Sequence, residues 1–302
     1  MLPTQHRIII GNSQTMPEIA DGSVHLMVTS PPYPMIQMWD NQFCELNPQI
    51  KMLWQKLEVD GKEETVTKIY NAIHQDLAKV WTETYRVLIE GGMACINIGD
   101  ATRSLNGKFR VFANHSRVIE NCEQLGFTTL PYILWKKPTT KPTYKGKGAF
   151  LGSGFLPPNA YVTLDCEFIL IFRKGKLRRF PPKDVCRYES ALTKKQRDEW
   201  FTQIWQVTGT RQTNGELERR TAAFPSEIVT RLIKMFSVKG DTVLDPFLGS
   251  GTTTEVAWRE ARNSIAYETD NDLLPIIKKK TANCFTYTPS ELKILKRKAS
   301  TL

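Results

Sequence analysis

Apolar positions in this chain fall into two alternating patterns. Short apolar runs near residues 7–11, 25–29, 93–98, 129–136, 165–173, 241–245 and 263–267 have the length and β-branched content of buried strands. Between them, near 65–88, 113–125, 225–237, 252–261 and 270–281, apolar residues recur at helical spacing. Strands alternating with helices predict a doubly wound α/β sheet covered by helices on both faces. Glu90, Gly91 and Gly92 are expected to stop the first long helix before the third strand. Nothing repeats internally, which excludes a solenoid.

Two predicted strand ends carry chemistry, and open α/β sheets bind ligands outside the carboxyl ends of their strands. The run 25–29 opens onto Ser30-Pro31-Pro32-Tyr33. Two prolines fix φ and donate no N–H, so this turn cannot become helix and the Pro31 carbonyl has no local donor. It can accept a hydrogen bond from a substrate, with Ser30 as a second neutral acceptor and Tyr33 as a face on which an extruded base could stack. Those groups suit an exocyclic amino group. An aromatic amine is a weak nucleophile because its lone pair is delocalised; two acceptors holding its hydrogens turn that pair toward an electrophilic methyl. An ordinary Pro-Pro turn is the bland alternative, and this stretch alone does not separate the two.

The second strand, 241–245, ends in Asp245 and runs through Pro246, Phe247, Leu248, Gly249, Ser250 and Gly251 into a helical pattern that begins at Thr252. Glycines at 249 and 251 let backbone approach a ligand closely. The loop departs from the dinucleotide fingerprint at Thr254 and lacks the Lys-Ser or Lys-Thr of a phosphate-gripping loop. Glu268 ends the next strand 17 residues beyond Gly251, near the spacing at which such folds grip ribose hydroxyls.

Charge points to a polyanionic partner. The 302 residues carry a formal net charge of +10, and between Lys136 and Tyr188 twelve Lys and Arg face three acids. Such a surface attracts a phosphate backbone. Tyr144, Phe150, Phe155 and Phe180, with Gly146, Gly148, Gly152 and Gly154, read as a loop that orders on nucleic acid, whereas Lys293, Lys296, Arg297 and Lys298 read as a frayed tail. The six cysteines form no C-x-x-C and none follows a proline, which argues against a zinc knuckle and against thiolate catalysis at cytosine C5. The four histidines lack metal-ligand spacing, so no metal is expected. No apolar run approaches the ~18 residues of a membrane span and no signal peptide precedes the first strand, so a soluble, cytoplasmic protein with no membrane partner is expected.

On these loops the chain resembles the bacterial amino-group DNA methyltransferases of the permuted β class. There an S-P-P-Y or D-P-P-Y loop precedes the target-recognition region and a D-P-F-x-G-S-G-T-T loop follows it. The resemblance implies a circularly permuted, Rossmann-like class I methyltransferase sheet of seven strands, one antiparallel and supplied by the pair ending in Lys174. It implies a catalytic half over 1–174, an inserted DNA-recognition region over 175–220 and a cofactor-binding half over 221–302. Asp245, Pro246, Phe247, Gly249, Ser250, Gly251 and Thr252 would line S-adenosylmethionine, Glu268 its ribose and Phe224 its methionine end. Asn12 stands where the family's usual Asp meets adenine, and Ser30, Pro31, Pro32 and Tyr33 would hold the target base.

For DNA contact the candidates are Lys174, Lys176, Arg178, Arg179, Arg187 and Arg211, with Gln203, Gln206, Gln212 and Asn214 chemically suited to base edges. The activity implied is methylation of cytosine N4 in double-stranded DNA by base flipping, as the modification half of a restriction system. A homodimer and a cognate restriction endonuclease are compatible partners. S-P-P-Y resembles the cytosine-N4 members; adenine N6 is the alternative within the family. A non-catalytic DNA-binding protein and a protein amide methyltransferase, for which N-P-P-Y would be expected, stand further off. Residues 35–60, with Trp39 and Trp54, fit either a lid over the flipped base or a cover for the sheet; Asp100 fits either a loop-orienting group or a cap.

Overall fold

The computed structural model describes residues 3–137, 158, 162, 164–209, 224–282, 284 and 290–297. Its strands are β1 (Thr4–Ile10), β2 (Val24–Thr29), β3 (Leu88–Ile98), β4 (Ala101–Leu105), β5 (Lys108–Phe112), β6 (Phe127–Lys136), β7 (Cys166–Lys174), β8 (Ile204–Gln206), β9 (Thr242–Asp245), β10 (Asn263–Glu268) and β11 (Ser290–Lys296). Helices are α1 (Asp40–Leu46), α2 (Pro48–Asp60), α3 (Glu63–Val87), α4 (Asn114–Gln124), α5 (Val185–Glu189), α6 (Lys194–Trp200), α7 (Ser226–Phe236), α8 (Thr252–Arg259) and α9 (Leu274–Thr281). No described helix is long and apolar enough to cross a membrane.

One sheet runs in the order β11-β1-β10-β9-β2-β3-β7-β6-β8, with β4 and β5 as a separate hairpin. Among its described strands only β7 is antiparallel, to β3 on one side and β6 on the other. The seven-strand core and its antiparallel member match the expectation; β8 and β11 extend the sheet at its two edges.

The strand alternation sorts side chains to two faces. Met27, Ile96, Phe172 and Leu244 pack under α3 and α4, while Leu26, Val28, Ile171 and Val243 pack under α7 and α8. Strands buried on both faces read as continuous apolar runs, which is why they stand out in the sequence. On α3 the residues Ile69, Ile73, Leu77, Val80 and Trp81 are all buried, each contributing on the order of 1.5–3 kcal/mol relative to exposure.

Three boundaries differ from expectation. β1 begins at Thr4, because Thr4 and His6 are buried polar residues: His6 stacks on Trp258 at 4.2 Å and bonds Ser264 at 2.8 Å. Helix α3 ends at Val87, and Glu90, Gly91 and Gly92 lie inside β3 instead of stopping the helix. Residues 290–296 are a strand, not a tail, paired in parallel with β1.

Candidate functional site

The carboxyl ends of β1, β2, β9 and β10 open onto a cavity of about 990 Å³. Its walls bring together Asn12, Ser30, Pro31, Pro32, Tyr33, Phe224, Asp245, Pro246, Phe247, Gly249, Ser250, Thr252 and Glu268, residues more than 250 positions apart in the chain at their extremes. Gly251 caps α8 beneath it.

Two buried carboxylates shape one side. Asp245 accepts from Thr29 Oγ1 at 2.6 Å and from the Phe247 amide at 3.1 Å. Glu268 accepts from the Gly249 amide through Oε2 and from the Asp270 amide through Oε1, both at 2.8 Å, tying the loop after β9 to the end of β10. Burial raises both carboxyls, Glu268 to about 7. Gly249 and Gly251 have φ of 56° and 91°, a left-handed backbone in which a side chain is strained. At Gly251 a Cβ would meet only Ile277, at 3.5 Å, so φ and not crowding by protein atoms calls for glycine there. Lys280, which the sequence did not single out, braces the same loop by donating to Thr252 Oγ1 at 2.7 Å and Ser250 Oγ at 3.1 Å.

Around Ser30 and Tyr33 a polar cluster forms that sequence reasoning missed. Tyr33 donates its hydroxyl to Glu167 Oε2 at 2.8 Å. Asn97 Nδ2 donates to Tyr33 Oη at 2.6 Å and to Glu167 Oε2 at 2.7 Å, and Ser30 Oγ lies 3.2 Å from Tyr33 Oη. Lys137 pairs with the other oxygen of Glu167. Burial and the Glu167 charge push the Tyr33 phenol well above its ordinary value, so it stays protonated. Gly99 makes room for the ring, since a Cβ there would stand 2.8 Å from Tyr33 Cε2. With the hydroxyl committed to protein, the ring face is what Tyr33 offers a ligand. The sequence hints at this cluster only through the strand end Asn97-Ile98-Gly99-Asp100, where the acid is the more conspicuous residue. Asp100 instead accepts from the His115 amide at 3.1 Å and from its ring nitrogen at 2.8 Å, as a cap on α4. Burial raises the thiols of Cys95 and Cys122, and Cys44 and Cys166 are also raised, which disfavours thiolate at each.

Residues 35–60 divide between their two readings. Trp39, Gln42, Phe43 and Leu46, on or just before α1, line the cavity, while Ile50 and Leu57 of α2 are buried in the core against α3. Asp40 anchors α1 through a two-pronged pair with Arg103 at 3.0 and 2.7 Å.

The basic candidates are scattered. β7 runs against β3, so Lys174 lies at the amino edge of the sheet, beside the start of β3. Lys174 Nζ donates to the Tyr85 and Leu88 carbonyls at 2.6 and 2.7 Å. The Lys176 amide donates to Glu90, and Arg178 forms a two-pronged pair with buried Asp241 at 2.6 and 2.9 Å. Asn97 lies seven positions along β3 from Glu90, about 23 Å at strand rise. Lys174, Lys176 and Arg178 therefore sit away from the edge that carries the cavity, and Lys174 and Arg178 hold the fold together. Arg179 is exposed nearby, and Arg187 is exposed with its guanidinium over Phe180 at 5.0 Å. Arg211, Gln212 and Asn214, and the Gly- and Lys-rich stretch from Lys141 to Phe155, lie outside the described residues. On the edge that carries the cavity stand Lys136 and Lys137 at the end of β6, and Gln206 at the end of β8, paired with Lys136.

Known proteins are similar to this chain in sequence and in fold. The chain is 61% identical over 283 residues to the type II methyltransferase M.MjaI of Methanocaldococcus jannaschii, covering 92% of each chain. It is 46% identical to the type II methyltransferase M.MthZI of Methanothermobacter thermautotrophicus, over 91% of this chain and 76% of that one. Among solved structures, the putative DNA modification methylase TTHA0409 of Thermus thermophilus, in complex with S-adenosyl-L-methionine, superposes with a TM-score of 0.70 at 29% identity, covering 95% of this chain and 99% of that one. PvuII DNA methyltransferase shares the fold, with a TM-score of 0.58 at 19% identity over 96% of each chain. The sequence model of the N6/N4 methyltransferase family, described as DNA methylase, matches residues 24–279, and the chain belongs to that family.

Proposed function

We propose that this DNA methyltransferase transfers a methyl group to cytosine N4 in double-stranded DNA, with the target base rotated out of the helix. The observation that carries the reading is a pair of neutral acceptors beside a fixed aromatic face at the mouth of the cavity. Ser30 Oγ, which meets Tyr33 Oη at 3.2 Å and accepts a long 3.4 Å bond from Asn97 Nδ2, and the Pro31 carbonyl, to which no described residue donates, can hold the two hydrogens of an exocyclic amine. Tyr33, locked by Glu167 and Asn97, presents the face on which the base stacks.

S-adenosylmethionine supplies the electrophilic methyl. The cavity fits it by size and by chemistry. Its volume is within the range of small-molecule sites. Asp245 and Glu268 are buried acids that accept from a hydroxyl and from backbone amides, so a cationic ligand and its ribose hydroxyls suit them. Glu268 would hold the ribose; Phe224 and Phe247 would wall the methionine end and exclude water. The Asn12 carbonyl oxygen Oδ1 already accepts from the Gln14 amide at 2.9 Å, so toward adenine Asn12 offers N–H donors to a ring nitrogen. The methylated amine is transiently cationic and sheds its extra proton without a strong base.

Sequence recognition in this reading comes from the catalytic edge. Lys136, Lys137 and Gln206 stand there, with Val207, Thr208 and Gly209 following β8, while the part of the 175–220 region before α5 packs at the amino edge. Cytosine is preferred over adenine on the resemblance of the Ser-Pro-Pro-Tyr loop, because both amines present two hydrogens. Mass spectrometry of nucleosides from plasmid DNA of expressing cells tests this directly. N4-methylcytosine is expected; N6-methyladenine in its place would transfer the reading to adenine. Neither base, from folded protein that binds the cofactor and DNA, would overturn the chemistry.

A further inference from the structure

We infer that Arg297, just beyond β11, is a positioning residue for the cofactor pocket: it holds the turn after β1 in the shape that receives S-adenosylmethionine. The inference rests on reading residues 12–14 as the adenine side of that pocket. β11 lies beside β1 from Thr4↔Ser290 to Ile10↔Lys296, and the Arg297 amide extends the pairing by donating to the Ile10 carbonyl at 3.1 Å. Its guanidinium then reaches over the turn. Nη1 donates to the Asn12 carbonyl at 2.6 Å and Nη2 to the Thr15 carbonyl at 2.7 Å. Nε and Nη2 also grip the two oxygens of Glu18 at 2.7 and 2.6 Å.

Every partner has a reason to stay. Bonds from Arg297 hold the Glu18 carboxyl down at about 2, so the pair remains ionised. Tyr267 donates to Glu18 Oε2 at 2.9 Å and lies under the guanidinium at 5.1 Å, and the same residue is among those lining the cavity. Gly11 gives the arginine its path, because a Cβ there would meet Arg297 Cδ at 2.7 Å. One planar fork thus fixes two carbonyls of the turn, an acid behind it and a wall of the pocket. A lysine, with a single point of charge, cannot span these partners together.

Calorimetry with S-adenosylmethionine and steady-state kinetics on the full chain test the assignment. Arg297→Ala should weaken cofactor binding about tenfold, the scale of one charged hydrogen bond, and raise the cofactor KM alike. At saturating cofactor, kcat and DNA affinity should match wild type, and Arg297→Lys should recover part of the loss. Glu18→Gln leaves β11 and the lining in place but loosens the guanidinium, so it should shift binding the same way and serves if Arg297→Ala does not fold. Wild-type cofactor affinity in Arg297→Ala, or in Glu18→Gln if only that variant folds, while Asp245→Ala loses binding would overturn the inference. So would an equal loss of kcat and DNA affinity in Arg297→Ala. If Asp245→Ala itself binds as wild type, the pocket assignment falls and takes this inference with it.

Discussion

At the residue scale, the chemistry divides between groups that face a ligand and groups that hold them. Ser30→Ala should lower turnover about a hundredfold, comparable to removing one hydrogen-bonding group from a transition state, while cofactor and duplex binding persist. Tyr33→Phe should keep most turnover, since the ring remains, yet destabilise the fold by about 1–3 kcal/mol because buried Asn97 and partly buried Glu167 lose a partner. Tyr33→Ala should lose the stacking as well, roughly 1–3 kcal/mol, seen as weaker binding of DNA with a mismatched target, where extrusion costs least; DNA with an abasic target has no base to stack and should bind both proteins alike. Glu268 gives a pH signature. Its folded pKa of about 7 lies above the ordinary 4.5, so ionisation costs stability as pH rises between those values, and donors from a bound ribose offset that cost by favouring the ionised form. Cofactor affinity should therefore tighten as pH rises through about 7 and level off above it, and Glu268→Gln should flatten the profile in calorimetric titrations. Most residues that line the cavity were legible, because they follow an apolar run and break it with proline, glycine or an acid. Asn97 and Glu167 were not, because their meeting depends on the antiparallel register of β3 and β7, in which Asn97 faces Ile169.

Elements were legible where burial is two-sided. The central strands and α3, α4, α7 and α8 emerge from apolar periodicity with boundaries shifted by a few residues. What escaped were edges and additions: β8 is three residues long, and β11 places Leu292 and Ile294 among Lys and Glu, the composition of a solvated tail. Edge strands need only one apolar face and carry charge against aggregation, so their signal is weak by design. Helix α1 is short and forms one wall of the cavity, held from outside by the Asp40–Arg103 pair, whose side chains are each less than a fifth exposed. Asp40→Ala should free it. Stopped-flow displacement is then expected to show cofactor leaving about tenfold faster, equivalent to about 1.4 kcal/mol; an unchanged dissociation rate would make α1 a fixed part of the wall.

For the whole molecule, the net charge of +10 correctly suggests a polyanion but does not locate it. Topology sends Lys174 and Arg178 to the far edge of the sheet and Lys136 and Lys137 to the edge that carries the cavity. Replacing Lys136 and Lys137 by alanine should lower the slope of log affinity against log salt by about one unit for each phosphate no longer neutralised. Neutralising Lys176 and Arg179 should leave it unchanged, and Arg178→Ala should instead destabilise the fold by about 3–5 kcal/mol by stranding buried Asp241. The strand order carries a further consequence for how the chain comes to be folded. β1 and β2 are near neighbours in sequence, yet β9 and β10, made from residues 242–268, lie between them. During synthesis the opening strand must wait, its edges unpaired, until more than 250 further residues have emerged. A fragment ending after β8 would keep β2, β3, β7, β6 and β8 paired but leave β1 without either sheet neighbour, so completing the sheet is expected to wait on late, long-range pairing that slows folding and leaves a strand edge open to aggregation.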